Sequence, residues 1–314
     1  MKESTASKVY IIHENEEWLA PLKENLEKNQ TDYHDWNLSK GKVDLTELPP
    51  NGVFYNRMSA SSFTRGNLHA KDLTAPILAW LEANNRRVVN SRRALQLEVS
   101  KAEQHIALRQ FGLKTPKTIV VVGKEEVIDA SYSFGDRPFI IKPNMGGKGH
   151  GVTLINSRQE LELLLESTPL NELTVDGVIL VQEYIPPKNQ RIVRMEFIAG
   201  KFYYAVQIDT GGSFELCPAD ACEIPSNSIS KSPEFTILEN FNIPEIKKCE
   251  AFLVANSIEI AGIEFLEDEE GQRYFYDVNT NTNYNVGAEE RNEEGLEGMK
   301  RVAGFLREEL EKVG

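Results

Sequence analysis

Residues 139–152 read FIIKPNMGGKGHGV, and the interpretation of the whole chain starts from this stretch. A short apolar run ends at Lys142 and opens into a glycine-rich turn around Lys148. Glycines lack a Cβ atom, so several backbone N–H groups can point at one anion. The spacing is neither that of a P-loop nor that of a Rossmann turn, and the VTLI that follows predicts a strand. A glycine loop between two strands predicts a flexible flap over a nucleotide, although an ordinary hairpin is the alternative for such a turn alone.

A second informative block is 261–285, AGIEFLEDEEGQRYFYDVNTNTNYN. It predicts a hairpin in which strands 262–266 and 273–278 flank an acidic turn. Period-2 alternation places one set of side chains on each face of the second strand: Tyr274, Tyr276 and Val278 on one, and Phe275, Asp277 and Asn279 on the other. Glu264 then lies close to Asp277 and Asn279, and oxygen ligands of this kind suit Mg²⁺. Solvated carboxylates on an acidic hairpin are the alternative.

Composition limits the classes of function. The 314 residues are enough for two or three subdomains, and 40% hydrophobic with 26% charged residues predicts a globular protein. The formal net charge of −13 argues against a nucleic-acid or anionic-membrane partner. No run reaches the ~20 apolar residues of a membrane span, and the apolar run near the N-terminus is too short for a signal peptide. Three cysteines form no disulfide framework, so we expect a cytoplasmic protein; the role of the Cys217/Cys222 loop stays open.

Strand and helix patterns alternate along the chain and predict an α/β architecture. Strands are expected at 9–12, 33–38, 52–55 and 87–90, with an amphipathic segment around 18–28 and a helix at 68–83. A small α+β lobe is predicted for residues 116–185, and antiparallel strands are predicted for 192–208 and 262–280. A core helix is predicted at 244–260, and a charged helix with a solvated face at 289–312.

The segment 100–116 predicts a helix with clear ends. Ser100 and Glu103 form a capping-box pattern at its start, and Gly112 ends it. Lys101 then lies in the first turn, where the helix dipole disfavours a cation. This favours a phosphate partner for Lys101, with a surface lysine as the alternative.

Four blocks in this order resemble the ATP-grasp enzymes of the RimK and glutathione-synthetase type, the carboxylate–amine ligases. They are the helix at 100–116, the glycine loop at 139–152, the VILVQEY strand at 178–184 and the acidic block at 261–285. The resemblance spans roughly residues 90–300. Two departures stand out: Asp277 replaces the Glu of many members, and Asn281-Thr282-Asn283 replaces a Ser-Pro-Gly type of continuation.

The resemblance implies an ATP-grasp fold with α+β lobes: an N-terminal open-sheet domain at 1–92, a small lobe with the glycine flap at 93–185, and a C-terminal lobe with the metal site at 186–314. It implies Arg194 as the catalytic residue and Glu264, Asp277 and Asn279 as metal ligands. Arg57, at a strand end, and Asn281 are expected to meet the substrate. The expected ATP-binding residues are Lys101, Lys142, Gly146, Gly147, Lys148, Gly149, Gly151, Gln182, Glu183, Tyr184 and Ile185.

The implied activity is ATP-dependent, ADP-forming amide or peptide bond formation through an acyl phosphate. The partners would be an amine and a small-molecule, peptide or protein carboxylate, and the cofactors ATP and Mg²⁺, with two ions and Mn²⁺ as a substitute. The alternatives are an ATP-grasp kinase acting on a small-molecule hydroxyl and a non-catalytic ATP-binding scaffold. The sequence identifies neither substrate, and it leaves homo-oligomerisation open.

Overall fold

The computed structural model describes residues 7–147, 149–211 and 234–313, which form three β-sheets. The expectations for Lys148 and for the Cys217/Cys222 loop therefore lie outside the described residues. Within the described ranges, none of the helices combines the length and the apolarity that crossing a membrane requires.

The first sheet is parallel, with strand order β2-β1-β3-β4. Alternate side chains of β1 enter two different cores. Val9 and Ile11 lie in one core, and Ile12 lies in the other. Both faces are covered, as is usual for parallel sheets. The expected strands and the helix at 68–83 are confirmed to within about two residues. The elements are β1 (Lys8–His13), α1 (Ala20–Lys28), β2 (Tyr33–Asn37), β3 (Gly52–Asn56), α2 (Ala70–Ala83) and β4 (Arg87–Val89).

Two capped helices, α3 (Arg92–Glu98) and α4 (Lys101–Gln110), follow this sheet. The Ser100 hydroxyl accepts a hydrogen bond from the Glu103 amide at 3.3 Å, as expected. The second half of the capping box is different, because the Glu103 carboxylate pairs with Arg93 at 2.6 Å. Gly112 has φ +68°, and the helix ends before it, as predicted.

The second sheet is antiparallel, with order β5-β8-β6-β7 and a core of its own. The glycine loop joins β6 to β7 as a hairpin, which confirms the strand–loop–strand prediction. The elements are β5 (Thr118–Val121), α5 (Lys124–Ser131), β6 (Phe139–Pro143), β7 (Thr153–Ile155), α6 (Arg158–Ser167), α7 (Leu170–Leu173) and β8 (Ile179–Glu183).

The third sheet is antiparallel, with order β11-β10-β9-β12-β13. The alternation expected for its last strand is wrong, because a bulge interrupts the β12–β13 register after Glu264. Phe275 and Val278 consequently enter the same core, whereas Tyr276 and Asp277 face a cavity. The elements are β9 (Arg191–Ile198), β10 (Lys201–Asp209), β11 (Glu234–Ile237), α8 (Glu245–Ala255), β12 (Ala261–Glu267) and β13 (Arg273–Asn279).

The segment 289–312, expected to be one charged helix with a solvated face, is divided between two helices. It contains the end of a short helix, α9 (Val286–Glu290), and most of a longer one, α10 (Gly298–Val313). Val302, Phe305 and Leu306 recur at helical spacing and are buried in the core that also holds β1 and β3. Most charged residues of α10 lie on its outer face, whereas Glu309 is buried and pairs with Arg87, and the apolar face of α10 packs against the first sheet.

We predict opposite effects for two glycine substitutions in α10. A Cβ on Gly298 would lie 2.3 Å from Cδ1 of the buried Tyr284 ring, whereas a Cβ on Gly304 meets only the end of Arg301 at 3.8 Å. Gly298→Ala should therefore lower the free energy of unfolding by about 2 kcal/mol. Gly304→Ala, the matched control, should raise it by ~0.5–1 kcal/mol through helix propensity. Urea unfolding measures both, and equal shifts would contradict the packing of α10.

Candidate functional site

A cavity of about 330 Å³ collects most of the residues predicted for the site. Helix α4, the glycine loop, the end of β8 and the β9, β12 and β13 strands surround it, with an N-terminal-domain turn around Ser59 and Ser61 at one side. Gly151 belongs to the same loop but does not line the cavity, and Arg57 lies behind its wall. The predicted residues that line it are Lys101, Lys142, Gly146, Gly147, Gly149, Gln182, Glu183, Tyr184, Ile185, Arg194, Glu264, Asp277, Asn279 and Asn281.

The two lysines of the cavity have different partners. Lys101, at the start of α4, forms an ion pair with Asp277. Burial alone would lower the pKa of Lys101, but the Asp277 carboxylate outweighs it and the pKa is raised. The Lys142 ammonium makes no hydrogen bond or ion pair with any residue in the described ranges, and burial together with the charge of Lys101 lowers its pKa to about 7. Lys142 is thus a buried amine without a counter-charge in contact.

Two carboxylates face each other across the β12–β13 pair. Glu264 is the register partner of Asp277, and Asn279 lies opposite Gly262. Burial and the neighbouring Asp277 charge raise the pKa of Glu264. Burial would also raise the pKa of Asp277, but the Lys101 ammonium lowers it. The structure therefore holds two like charges together inside the protein, beside an amide oxygen.

Arg194 is 2% exposed and brings a third cation to this cluster. Its Nε lies 2.7 Å from a Glu196 carboxylate oxygen, and its Nη1 lies 3.5 Å from Glu264. The Thr282 hydroxyl contacts the guanidinium and donates to Glu196 at 2.8 Å. A Cβ on Gly262 would stand 2.4 Å from the Arg194 Nε, so only glycine leaves room for the arginine.

The glycine loop lies against the N-terminal domain. Gly149 and Gly151 have φ of +73° and +76°, a conformation that favours glycine. A Cβ on Gly147 would come within 3.4 Å of the Ser61 Cβ, and the His150 ring meets Phe63 edge-on at 6.2 Å between centroids. The glycine loop thus covers the cavity from the side of the second sheet.

Several residues of the site are missing from the sequence-based set. Glu98 lines the cavity and accepts hydrogen bonds from the Ala60 amide at 3.2 Å and from the Thr280 amide and hydroxyl at 2.7 and 2.9 Å. Asn144 accepts from the Ala102 amide at 3.0 Å and so ties β6 to α4. The side chains of Glu196 and Thr282 both contact Arg194. No local spacing marks Glu98, Asn144 and Thr282, because their contacts are distant in sequence, and the Glu196 carboxylate also meets Thr282, 86 positions away.

Comparison with known proteins relates part of this chain to one protein family. Residues 99–215 match the family model described as the RimK-like ATP-grasp domain. An alpha-aminoadipate–LysW ligase LysX of Sulfolobus acidocaldarius is 29% identical over 142 residues, which are 45% of this chain and 50% of that protein. The chain spans 28% to 59% of the length of the first curated relatives that it matches.

Two solved structures resemble nearly the whole chain. A RimK domain ATP-grasp protein of Sphaerobacter thermophilus is 16% identical, with a TM-score of 0.66 over 95% of this chain and 99% of that one. The ATP-grasp ligase PsnB, complexed with a phosphomimetic variant of its minimal precursor, Mg and ADP, is 15% identical, with a TM-score of 0.66 over 97% and 98%. The expected fold class is confirmed. Residues 99–215 therefore form a RimK-like ATP-grasp domain, the chain as described has the fold of these solved structures, and LysX and PsnB, which it resembles, are ligases.

Proposed function

We propose that this protein is an ATP-dependent ligase that joins a carboxylate to an amine through an acyl phosphate. The observation that carries the proposal is the content of one cavity: a glycine loop, two lysines, a buried arginine and two facing carboxylates. This set suits phosphoryl transfer, in which positioning and charge stabilisation supply most of the catalysis. The similarity to LysX and PsnB supports the same reaction class.

The nucleotide would lie between the second and third sheets. Lys101 and Lys142 would hold the phosphates, and the loop glycines 146, 147, 149 and 151 would cover them; the role of Lys148 rests on the sequence alone. The base would lie at the end of β8, beside Gln182, Glu183, Tyr184 and Ile185, where the apolar side chains of Ile140, Ile192 and Leu266 line the cavity.

The carboxylate pair fits a divalent metal ion. Glu264 and Asp277 with the Asn279 amide offer the hard oxygen donors that Mg²⁺ takes, with phosphate oxygens and water completing its shell. Burial and the neighbouring Asp277 charge both raise the pKa of Glu264, and a dication beside the two carboxylates would stabilise their charged forms. When bound, Mg²⁺ would neutralise phosphate charge during transfer. We propose two such ions, with Mn²⁺ as a substitute.

The chain's own residues account for the rest of the mechanism. A substrate carboxylate oxygen attacks the γ-phosphorus, the bond to the bridging oxygen breaks, and ADP leaves while Lys101 and Lys142 hold its phosphates. The glycine loop excludes water from the acyl phosphate. The amine then attacks the carbonyl carbon and loses a proton, and inorganic phosphate leaves. Arg194, fixed by Glu196 and Thr282, would stabilise the developing oxyanion.

The product identifies the reaction. We expect Mg²⁺-dependent release of ADP and phosphate with at least one mixture drawn from amino acids, dipeptides and polyols. Mass spectrometry of that mixture then identifies the product. A product lighter than its two substrates by one water confirms the ligase. A product heavier by one phosphoryl group contradicts it and indicates the kinase, and nucleotide binding without turnover on any panel member counts for the scaffold.

A second prediction concerns Asp277. Asp277→Asn removes one of the two facing charges and the partner of Lys101, so turnover should fall by ~10²-fold or more. Asp268→Asn, in the turn of the same hairpin, is the matched control, because the Asp268 side chain accepts hydrogen bonds from the Glu270 and Gln272 amides, which an asparagine oxygen can also accept. Full turnover by Asp277→Asn would exclude the proposed metal site.

A third prediction follows from Lys142. A phosphate beside the ammonium would favour its charged form, so above pH 7 the free protein must take up a proton when a nucleotide binds. The Kd for ADP should therefore rise with pH, approaching ~tenfold per unit between about pH 7.5 and about pH 9. Titration calorimetry in two buffers of different ionisation enthalpy measures the uptake. Lys142→Arg should abolish the slope, since a guanidinium stays charged; an equal Kd across the range for the unaltered protein would contradict the role of Lys142.

A further inference from the structure

The Arg57 guanidinium is a buried charge without a carboxylate in contact among the described residues. Arg57 is 2% exposed, and all its hydrogen bonds go to neutral oxygens. It donates to the Trp18 carbonyl at 3.3 Å, the Thr282 carbonyl at 3.2 Å, and the Asn281 and Asn283 side-chain oxygens at 2.9 and 2.7 Å. Burying an arginine charge without a paired carboxylate costs free energy. This cost indicates that the charge of Arg57 has a role beyond its own contacts.

The contacts of Arg57 fix the orientation of two amides. A guanidinium can only donate, so Asn281 and Asn283 must turn their Oδ1 atoms toward it. Each side-chain NH₂ group then points away from Arg57, and neither forms a hydrogen bond to the described residues. Both asparagines line the cavity. The positive ends of two amide dipoles are therefore presented to the cavity, backed by a full positive charge.

This wall differs from the phosphate side of the cavity. The cations on the phosphate side are paired with or close to the carboxylates of Glu264 and Asp277; they are Lys101, Lys142 and Arg194. The wall formed by Arg57, Asn281 and Asn283 instead meets the turn that carries Ser59 and Ser61. Oriented donors in a buried site favour an anionic oxygen, because the low local dielectric strengthens their field. A carboxylate approaching the γ-phosphate from this side would meet both amides.

We propose that Asn281 and Asn283 are paired amide donors for the carboxylate of the acid substrate, and that Arg57 is the positioning residue that orients them. This deepens the proposed function and rests on it for the identity of the ligand. The sequence-based expectation that Arg57 itself contacts the substrate is replaced by an indirect role, whereas Asn281 keeps the role expected for it.

Asn281→Asp and Asn283→Asp separate this role from a purely structural one. An aspartate still accepts from Arg57, so the fold should be retained and the melting temperature unchanged or raised. It offers no donor and adds a negative charge facing the cavity. Acid binding should weaken by ~10-fold or more, while the Kd for ADP stays unchanged. Asn29→Asp is the matched control, because the Asn29 side-chain oxygen also accepts a hydrogen bond, from the Thr31 hydroxyl at 2.6 Å, at the end of α1.

The probe is a panel of N-acetylated amino acids and dipeptides with their carboxamide counterparts. Saturation-transfer NMR in the presence of ADP and Mg²⁺ detects binding without turnover. We expect the unaltered protein to bind at least one acid in preference to its carboxamide and both aspartate variants to lose that preference. Equal acid binding by the variants would overturn the inference, and so would no binding of any acid by the unaltered protein.

Two further outcomes keep the inference distinct from the proposed ligase. Acid binding that depends on both asparagines, without any ligated product, would support the inference and reject the ligase. Ligation unaffected by either variant would support the ligase and reject the inference. Arg57→Lys adds a check: a single ammonium cannot hold both amides, so acid binding should weaken while ADP binding is retained. Unaltered acid binding by Arg57→Lys would contradict the positioning role.

Discussion

The burial of the Arg194 charge is the constraint on which the rest of the site depends. An unpaired guanidinium inside a protein costs several kcal/mol, and removing one partner of a buried pair is strongly destabilising. Glu196 supplies the counter-charge, Thr282 joins both groups, and Gly262 leaves the space that the side chain fills. Arg194 thereby stands at a fixed position beside Glu264. Lys101 and Arg194 are each paired with a carboxylate, whereas the Lys142 ammonium contacts none among the described residues.

The linear motifs were predictable because they depend on neighbours in sequence. The glycine loop, Lys142 at the end of its strand, Lys101 after its cap and the approach of Glu264 to Asp277 all follow from local spacing, and the structure places them around one cavity. Their proposed roles toward ATP and metal stay predictions. The bulge after Glu264 was missed, because a single extra residue in a strand leaves no mark in an alternating pattern that is already imperfect.

The residues that support the motifs could not be predicted in the same way. Glu98 and Thr282 work through partners 38 to 182 positions distant in sequence, and Glu196, although two positions from Arg194, also needs Thr282. Glutamate and threonine are common residue types, so only the fold shows which groups these side chains contact. Asn90 is a similar case: it adopts φ +59° and its side chain bonds to the Ile260 and Thr280 carbonyls and to the Glu259 and Ile260 amides, so it joins the first sheet to the third.

The position of α10 also affects how the chain can be made. Val9 and Ile11 share one core with Val302, Phe305 and Leu306, so the first sheet stays incomplete until almost 300 further residues have been synthesised. At ~5–20 residues per second, the part of its apolar face that α10 covers stays exposed for many seconds on the ribosome, although α1 packs on the same face earlier. The second sheet has a core formed by residues 119–181 and can fold during that time. The second sheet can therefore be folded before the core beneath α10 is complete, against the order of translation.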